Sequence, residues 1–429
     1  MKVSIYGNTL EAYIAAISLS LYGNSVIQHT KSFHSEIDEQ PFLKNEPGLK
    51  SKLERTAISN NLELSDTSKF SSADIHWIFY KDKKSGELFK LVSNLLSSGE
   101  TISLVISTTL GIGTFNSISN QFKSYIQEGQ LRLGTLPPFI REGNAFSDFE
   151  SPELLLIGTD DNYLISMLST LLSQVIENAT KVMFVSGSEA ELIKTSICTM
   201  LATRLSLINE LASLAEEFNI DINTVIEGIG ADSRVGNSYL QPGCGFGGLT
   251  LPQEVDNLLL QFSRTSSGSE MLKAVSETNR NQKEVLFRKF WSYNKANISE
   301  LRVTIWGASF KPNSSSIDNS PIHELIEALT AQGCEINIYD PASTTALSIQ
   351  YSEYLNIQLF DNKYEAAEDS DALFIVTDWK EFFEPDFILL RQRMNKPIIF
   401  DGRNIYDPGE LIEFGFQYFA VGRGQKRND

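Results

Sequence analysis

The stretch KVSIYGNTLEAYIAAISLSLYGNSVIQ, running from Lys2 to Gln28, decides the fold. Lys2 to Tyr6 is a short apolar strand punctuated by Gly7, and Leu10 to Leu21, rich in Ala, Ile and Leu, reads as a helix that closes near Gly23. A strand over residues 25–28 completes a strand–turn–helix–strand unit, the opening of a doubly wound parallel sheet. Apolar strands are expected next at 75–80 and 102–107, then at 154–157 before Gly158, and at 181–185. Alternation of this kind puts a sheet between two helical layers.

From Ser188 to about Phe218 the pattern changes to one long helix, with Leu192, Ile193, Ile197, Leu201, Leu205, Ile208 and Leu211 as its expected buried stripe. At ~30 residues it spans ~45 Å, so it is expected to bridge two domains and to offer a dimer interface. A second strand–helix–strand unit follows: a strand at 302–306, a helix at 322–331 closed by Gly333, and a strand at 335–339 running into Asp340-Pro341. Further strands are expected at 372–376 and 397–400. The expected class is α/β: two Rossmann-like, doubly wound parallel-sheet domains joined by a long central helix and helical dimerisation region. The expected domains are 1–186, 187–298 (carrying a glycine-rich loop) and 299–429.

A chain of 429 residues suits two or three domains at about 150 residues each. With 41% hydrophobic and 21% charged residues it can bury a core and is not of disordered type. Lys and Arg number 36 against 54 Asp and Glu, a formal charge of −18, which argues against nucleic acid or an anionic membrane surface as partner. Residues 211–229 have the outline of a helix-turn-helix but lack a Lys/Arg-rich second helix. Cys198, Cys244 and Cys334 are too few and too scattered for a disulfide framework or a zinc site, so a reducing cytoplasm is the expected location and no metal is expected. No apolar run approaches the ~18 residues of a membrane helix, and Met1 to Tyr6 reads as a strand rather than a signal peptide. His29, His34, His76 and His323 have no spacing suited to a metal or an acid–base pair and are expected as surface or packing residues.

Two motifs carry chemistry. A dinucleotide fingerprint needs one glycine for the turn, a second for approach of the pyrophosphate and a third for helix packing. Those places hold Gly7, Thr9 and Ala12, and the second strand ends in His29-Thr30 where an acidic residue would take the ribose. Both a retained dinucleotide and a scaffold that has lost it are open on this pattern. The second motif is Gly243-Cys244-Gly245-Phe246-Gly247-Gly248-Leu249-Thr250-Leu251-Pro252-Gln253-Glu254, a loop whose backbone amides can face a ligand without side-chain obstruction.

This loop resembles the Gly-x-Gly-Phe-Gly-Gly-Ser-Cys-(Leu/Phe)-Pro-Lys-Asp of the UDP-glucose/GDP-mannose dehydrogenase family. The likeness covers nearly the whole chain: Glu46-Pro47-Gly48-Leu49, Ser107-Thr108, Pro137-Pro138-Phe139-Ile140-Arg141-Glu142-Gly143, Ala190-Glu191-Leu192-Ile193-Lys194, Asn209-Glu210, Asp232-Ser233-Arg234-Val235-Gly236, Phe310-Lys311-Pro312-Asn313, Ser320-Pro321, Asp401-Gly402-Arg403-Asn404 and Gly422-Arg423 stand in the family's order. The resemblance implies a UDP-sugar alcohol oxidised to aldehyde and then acid with two NAD⁺, a cysteine capturing the aldehyde before the second hydride leaves. It also implies a lysine and an asparagine stabilising the oxyanion, a UDP-sugar as partner, and a homodimer or a heteromer with a related dehydrogenase.

The implied catalytic positions are Lys194, Glu142, Thr250, Cys198 and Glu254. Thr250 stands for the cysteine, Cys198 for the asparagine and Glu254 for the aspartate, while Lys194 and Glu142 are kept; Pro138 replaces the first glutamate. The implied dinucleotide positions are Gly7, Thr9, Ala12, Thr30 and Thr108; Asp318 stands for an arginine, and Phe79-Tyr80-Lys81-Asp82 for Val-Pro-Thr-Pro. The implied substrate positions are Phe139, Ile140, Lys194, Tyr239, Leu240, Gly245, Phe246, Gly247, Gly248, Phe310, Lys311 and Arg403, with Arg234 reaching the partner subunit's substrate. Cys198, one helical turn from Lys194, and Cys244 are conceivable migrated nucleophiles. The expected function is a divergent nucleotide-sugar dehydrogenase homologue in polysaccharide biosynthesis that binds a UDP-sugar without four-electron oxidation. An NAD-dependent two-electron oxidoreductase and a non-catalytic structural or regulatory subunit are the alternatives.

Overall fold

The computed structural model describes residues 1–29, 46–65, 72–80, 85–108 and 111–423, which form two compact units, Met1–Ile197 and Cys198–Asp429. In the first, eight strands build one sheet: β1 (Lys2–Tyr6), β2 (Ser25–His29), β3 (Leu62–Ser65), β4 (Ile75–Tyr80), β5 (Ile102–Thr108), β6 (Leu131–Thr135), β7 (Leu154–Gly158) and β8 (Lys181–Val185), in the order β3-β2-β1-β4-β5-β6-β7-β8. Every pairing is parallel except β6 with β7. The chain reverses its winding between β1 and β4, which makes the carboxyl ends of those strands the switch point of a doubly wound sheet. Helix Leu10–Leu21 is buried almost all round, as its Ala-, Ile- and Leu-rich composition demands. It is started by Thr9, whose hydroxyl accepts from the Ala12 amide at 3.3 Å.

The second unit carries a six-stranded, all-parallel sheet of β9 (Arg302–Trp306), β10 (Glu335–Tyr339), β11 (Ile357–Phe360), β12 (Ala372–Ile375), β13 (Ile398–Asp401) and β14 (Gln417–Ala420), ordered β11-β10-β9-β12-β13-β14. Its winding reverses between β9 and β12, repeating the first sheet's plan. The tail returns to the helical part of this unit: the Gly422 amide donates to Glu216 (2.7 Å), and Ile222 donates to the Gly422 carbonyl (2.9 Å). Gly422 has φ +75°, and a Cβ there would lie 2.5 Å from Ile222, so only glycine closes this joint.

The long helix runs Gly187–Glu217, and the boundary between the units falls within it. Its buried side differs from the expected stripe. Ala190, Lys194, Thr195, Cys198, Ala202, Ser206, Asn209 and Ala212 are buried together with Ile208. Ile193, Ile197, Leu201, Leu205 and Leu211 are only half-buried, and Leu192 is exposed. Small and polar residues let neighbouring elements approach this helix closely, which leaves the larger aliphatic side chains on its outer side. Leu192, Met200, Leu207 and Leu214 form an exposed row at near-heptad spacing.

Candidate functional site

The glycine-rich loop of the second unit is held on all sides by that unit's own groups. The Gly243 amide donates to Asn209 Oδ1 (2.9 Å) and its carbonyl accepts from Gln282 Nε2 (2.7 Å). The Cys244 amide donates to the Gly402 carbonyl (3.0 Å). Asn279 clamps Phe246 from both sides, accepting its amide proton at 2.8 Å and donating to its carbonyl at 3.0 Å. The Gly248 amide donates to the Asp318 carbonyl (2.7 Å), and Asn319 Nδ2 donates to the Gly248 carbonyl (2.9 Å). Four amides of the loop are thereby committed within the protein. The glycines are required by close approach: a Cβ on Gly247 would meet the Asn319 carbonyl at 2.6 Å, and one on Gly248, whose φ is +78°, the Phe310 ring at 2.7 Å.

Phe310 thus lies directly on the loop, and the Lys311 ammonium sits 5.5 Å from the centre of its ring. Arg403 joins them, Nε donating to the Val376 carbonyl at 2.6 Å and one terminal nitrogen reaching the Phe310 carbonyl at 3.5 Å. Its backbone is set by Asp401, a fully buried carboxylate that accepts from the Arg403 and Ile405 amides (2.7 and 2.8 Å) and from the Tyr418 hydroxyl (2.7 Å). Burial pushes the Asp401 carboxyl above the usual carboxylate range, against the pull of these donors. The loop, Phe310, Lys311 and Arg403 therefore form one cluster in which glycine amides and two cations stand together, a chemistry suited to a diphosphate. Leu240 is buried in the core below, and Tyr239 takes φ +59° at the surface. Arg234 lies apart, 86% exposed along its side chain and folded onto Asp232 at 2.6 Å; the same bond holds the Asp232 carboxyl below its ordinary value.

Thr250 is the first residue of helix Thr250–Ser263 and is exposed, while Glu254, one turn later, is buried. Cys198 is buried in the long helix. Cys244 is fully buried; burial pushes its thiol up, only partly offset by Arg403, and the thiol faces the Val376 carbonyl at 3.8 Å. Such a thiol is a packing group and a poor nucleophile. Asp318, at the place of the expected cation, organises its own turn: its carboxylate accepts from the Ser316 hydroxyl at 2.6 Å. At the end of β10 the buried Asp340 accepts from the Ala308, Ser309, Ala342 and Ser343 amides at 2.7–3.0 Å and from Trp379 Nε1 at 3.2 Å. The turn after β9, where a Rossmann-type sheet offers amides to a phosphate, is filled by the chain's own carboxylate.

In the first unit, Phe139 and Lys194 come together. The Lys194 side chain is buried, its ammonium lies 4.5 Å from the centre of the Phe139 ring, and among the described residues no carboxylate pairs with it. Ile140 and Glu142 follow on the same loop, half-buried. Glu46 fixes that loop by accepting the Gly143 and Ala145 amides at 2.7 Å each, and Glu191 starts helix Thr114–Gln121 by accepting the Gly113 and Phe115 amides. At the dinucleotide positions, Gly7 has φ +129° with a Cβ-to-Phe79 carbonyl distance of 2.4 Å, Ala12 is buried, and Thr9 is the helix cap already described. Thr108 ends β5; Thr30 lies outside the described residues, as does His34. Of the other histidines, His29 and His76 are buried and His323 bonds the Tyr351 hydroxyl and the Ile317 carbonyl. Among the described residues no group of three or more His, Cys, Asp or Glu side chains is placed to hold a metal, and no helix is long and apolar enough to cross a membrane.

The sequence did not single out Asn279 and Gln282, although they hold the glycine loop. Their spacing of three within helix Glu270–Gln282 places them on one face, the only signal they give. Asn279 also borders a cleft of about 140 Å³ walled by Phe246, Asp256, Arg280, Lys283 and Glu324, in which Lys283 and Glu324 pair at 3.0 Å.

The chain is similar to known proteins over its whole length. Residues 188–281 match the central domain of the UDP-glucose/GDP-mannose dehydrogenase family and residues 304–408 its UDP binding domain. The UDP-glucose 6-dehydrogenase of Pseudomonas aeruginosa is 32% identical over 327 residues, covering 75% of this chain and 72% of that protein. The UDP-glucose 6-dehydrogenase of Rhizobium meliloti is 26% identical over 440 residues, 99% of this chain and 100% of that one. In fold, the chain is like the UDP-glucose dehydrogenase of Pyrobaculum islandicum, with a TM-score of 0.84 at 20% identity over 99% of this chain and 98% of that one. The UDP-D-ManNAc dehydrogenase of Pyrococcus horikoshii gives the same score at 19% identity, covering 99% and 100%. On the sequence matches and the two family domains together, the chain belongs to the UDP-glucose/GDP-mannose dehydrogenase family.

Proposed function

We propose that this chain holds a UDP-sugar against the glycine loop, Phe310, Lys311 and Arg403 and does not carry out the four-electron oxidation of its family's reaction. The observation that carries this reading is a contrast within the second unit. The diphosphate-type cluster is intact and rigidly pinned, while the nucleophile's place is taken by Thr250, a hydroxyl at an exposed helix start. An alcohol at that position has no base placed by resemblance to activate it, and without a thiolate the aldehyde is not captured for a second hydride transfer. The exposed row Leu192, Met200, Leu207 and Leu214 supports pairing of two copies, or of this chain with a related dehydrogenase. The family resemblance and the three scattered cysteines support a role in polysaccharide biosynthesis, as a binding subunit in the cytoplasm.

Incubating the protein with a panel of UDP-sugars and NAD⁺, while following NADH fluorescence and the sugar product, tests the oxidation half of this reading. Neither uronate nor stoichiometric NADH is expected; two NADH per UDP-sugar would refute it. Release of one NADH with an aldehyde product would instead establish a two-electron oxidoreductase, for which Lys194 and Glu142 are the candidate acid–base groups.

A further inference from the structure

We infer that the crevice at the carboxyl ends of β1 and β2 does not take NAD, although that sheet has the dinucleotide-binding topology and the family's reaction uses the cofactor. Three side chains at this turn, in the first turn of its helix and on β2 carry the argument. Thr9 occupies the place of the second glycine, and its hydroxyl already accepts the Ala12 amide, one of the donors a pyrophosphate would need. Glu11, only 8% exposed, brings a carboxylate into the first turn of the same helix and opposes an anion at that terminus. Gln28, fully buried on β2, reaches across to the turn and donates from Nε2 to the Gly7 carbonyl at 2.6 Å.

The polarity of the crevice is wrong for phosphate as well as its shape. The Gln28 side-chain oxygen is buried without a hydrogen-bond partner among the described residues, so it presents an acceptor beside a turn that would have to receive phosphate oxygens, which are acceptors too. At the end of β2, the His29 ring lies flat on Tyr6 with centroids 4.3 Å apart, and the Tyr6 hydroxyl meets His76 Nδ1 at 2.9 Å. This aromatic stack lies on β1, β2 and β4, next to the ribose position at the end of β2. The first unit keeps the Rossmann scaffold, Gly7 included, while Thr9, Glu11 and Gln28 turn its first βα turn against phosphate.

The test is a pair of calorimetric titrations of the full chain, one with NAD⁺ and one with UDP-glucose, repeated on the triple variant Thr9→Gly, Glu11→Val, Gln28→Gly. The wild-type chain is expected to show no saturable heat with NAD⁺ up to several millimolar, and the triple variant to bind it at least tenfold more tightly. Saturation of the wild type below roughly 0.1 mM, at one NAD⁺ per chain, would overturn the inference. A folded variant that still ignores NAD⁺ would overturn the assignment of exclusion to these three side chains. Should the triple variant not fold, Thr9→Gly alone carries the comparison, since Thr9 is partly exposed. The UDP-glucose arm reports on the proposed sugar-nucleotide site separately: loss of that heat, with NAD⁺ still silent, counts against the binding reading and leaves this inference standing.

Discussion

Acidification should unfold the first unit through two histidines. His29 and His76 are each 2% exposed, stacked against Tyr6, and burial holds both ring pKa values down to about 4 from an ordinary 6.5, with the neighbouring His29 adding to the effect at His76. Because the folded values are depressed, the stabilisation is fully present above pH 6.5 and is lost as pH falls toward 4, when the unfolded chain takes up protons that the folded chain refuses. With these values the two histidines together lose on the order of 3 to 4 kcal/mol between pH 7 and pH 5. For a unit of this size that corresponds to a fall in Tm of roughly 7–15 °C. Thermal unfolding followed by scanning calorimetry is the assay, restricted to pH 5 and above so that carboxylates contribute little. His29→Phe preserves the stack on Tyr6 and should remove about half of the pH dependence. A Tm that is flat from pH 7 to pH 5, or a slope unchanged in the variant, would refute the reasoning.

Three further outcomes test the second unit. Asn279→Ala removes both bonds that clamp Phe246 and should cost about 1–3 kcal/mol, measured by urea unfolding, because a partly buried amide and carbonyl lose their partner. Gly248→Ala places a Cβ against the Phe310 ring at φ +78° and should cost about 2–4 kcal/mol of strain at the loop, with at least a tenfold loss of UDP-glucose affinity by calorimetry. Thr250→Cys should restore no uronate formation, because Cys198 and Asp318 remain; substantial oxidation by that single variant, read as NADH fluorescence, would contradict the reading of the site.

What could be read from the sequence follows burial. β1, β4, β5, β9 and β12 are interior strands with continuous apolar runs, and the pattern places them directly. β3, β11 and β14 are sheet edges, where exposed polar residues such as Glu63, Gln358 and Gln417 break the apolar run. β6 is interior, yet Arg132 and Gly134 disguise it. The long helix was correct in length and misread in face, since a search for large aliphatic side chains finds Leu192, Ile193, Ile197, Leu201, Leu205 and Leu211, which are exposed or half-buried, rather than the buried Ala202, Ser206 and Ala212. At the site, the glycine loop announces itself by composition. The groups that shape it do not: Asn279 and Gln282 are polar residues within a helix to which only the three-dimensional contact with the loop gives meaning, and Asn209 stands out in the sequence through the family resemblance alone.

The most direct test of the central claim is a calorimetric titration of UDP-glucose into the protein with no dinucleotide present. Saturable, one-to-one heat that is reduced at least tenfold in Arg403→Ala is the predicted result. Absence of any heat up to several millimolar, or binding indifferent to Arg403, would contradict the assignment of a UDP-sugar to the cluster of the glycine loop, Phe310, Lys311 and Arg403.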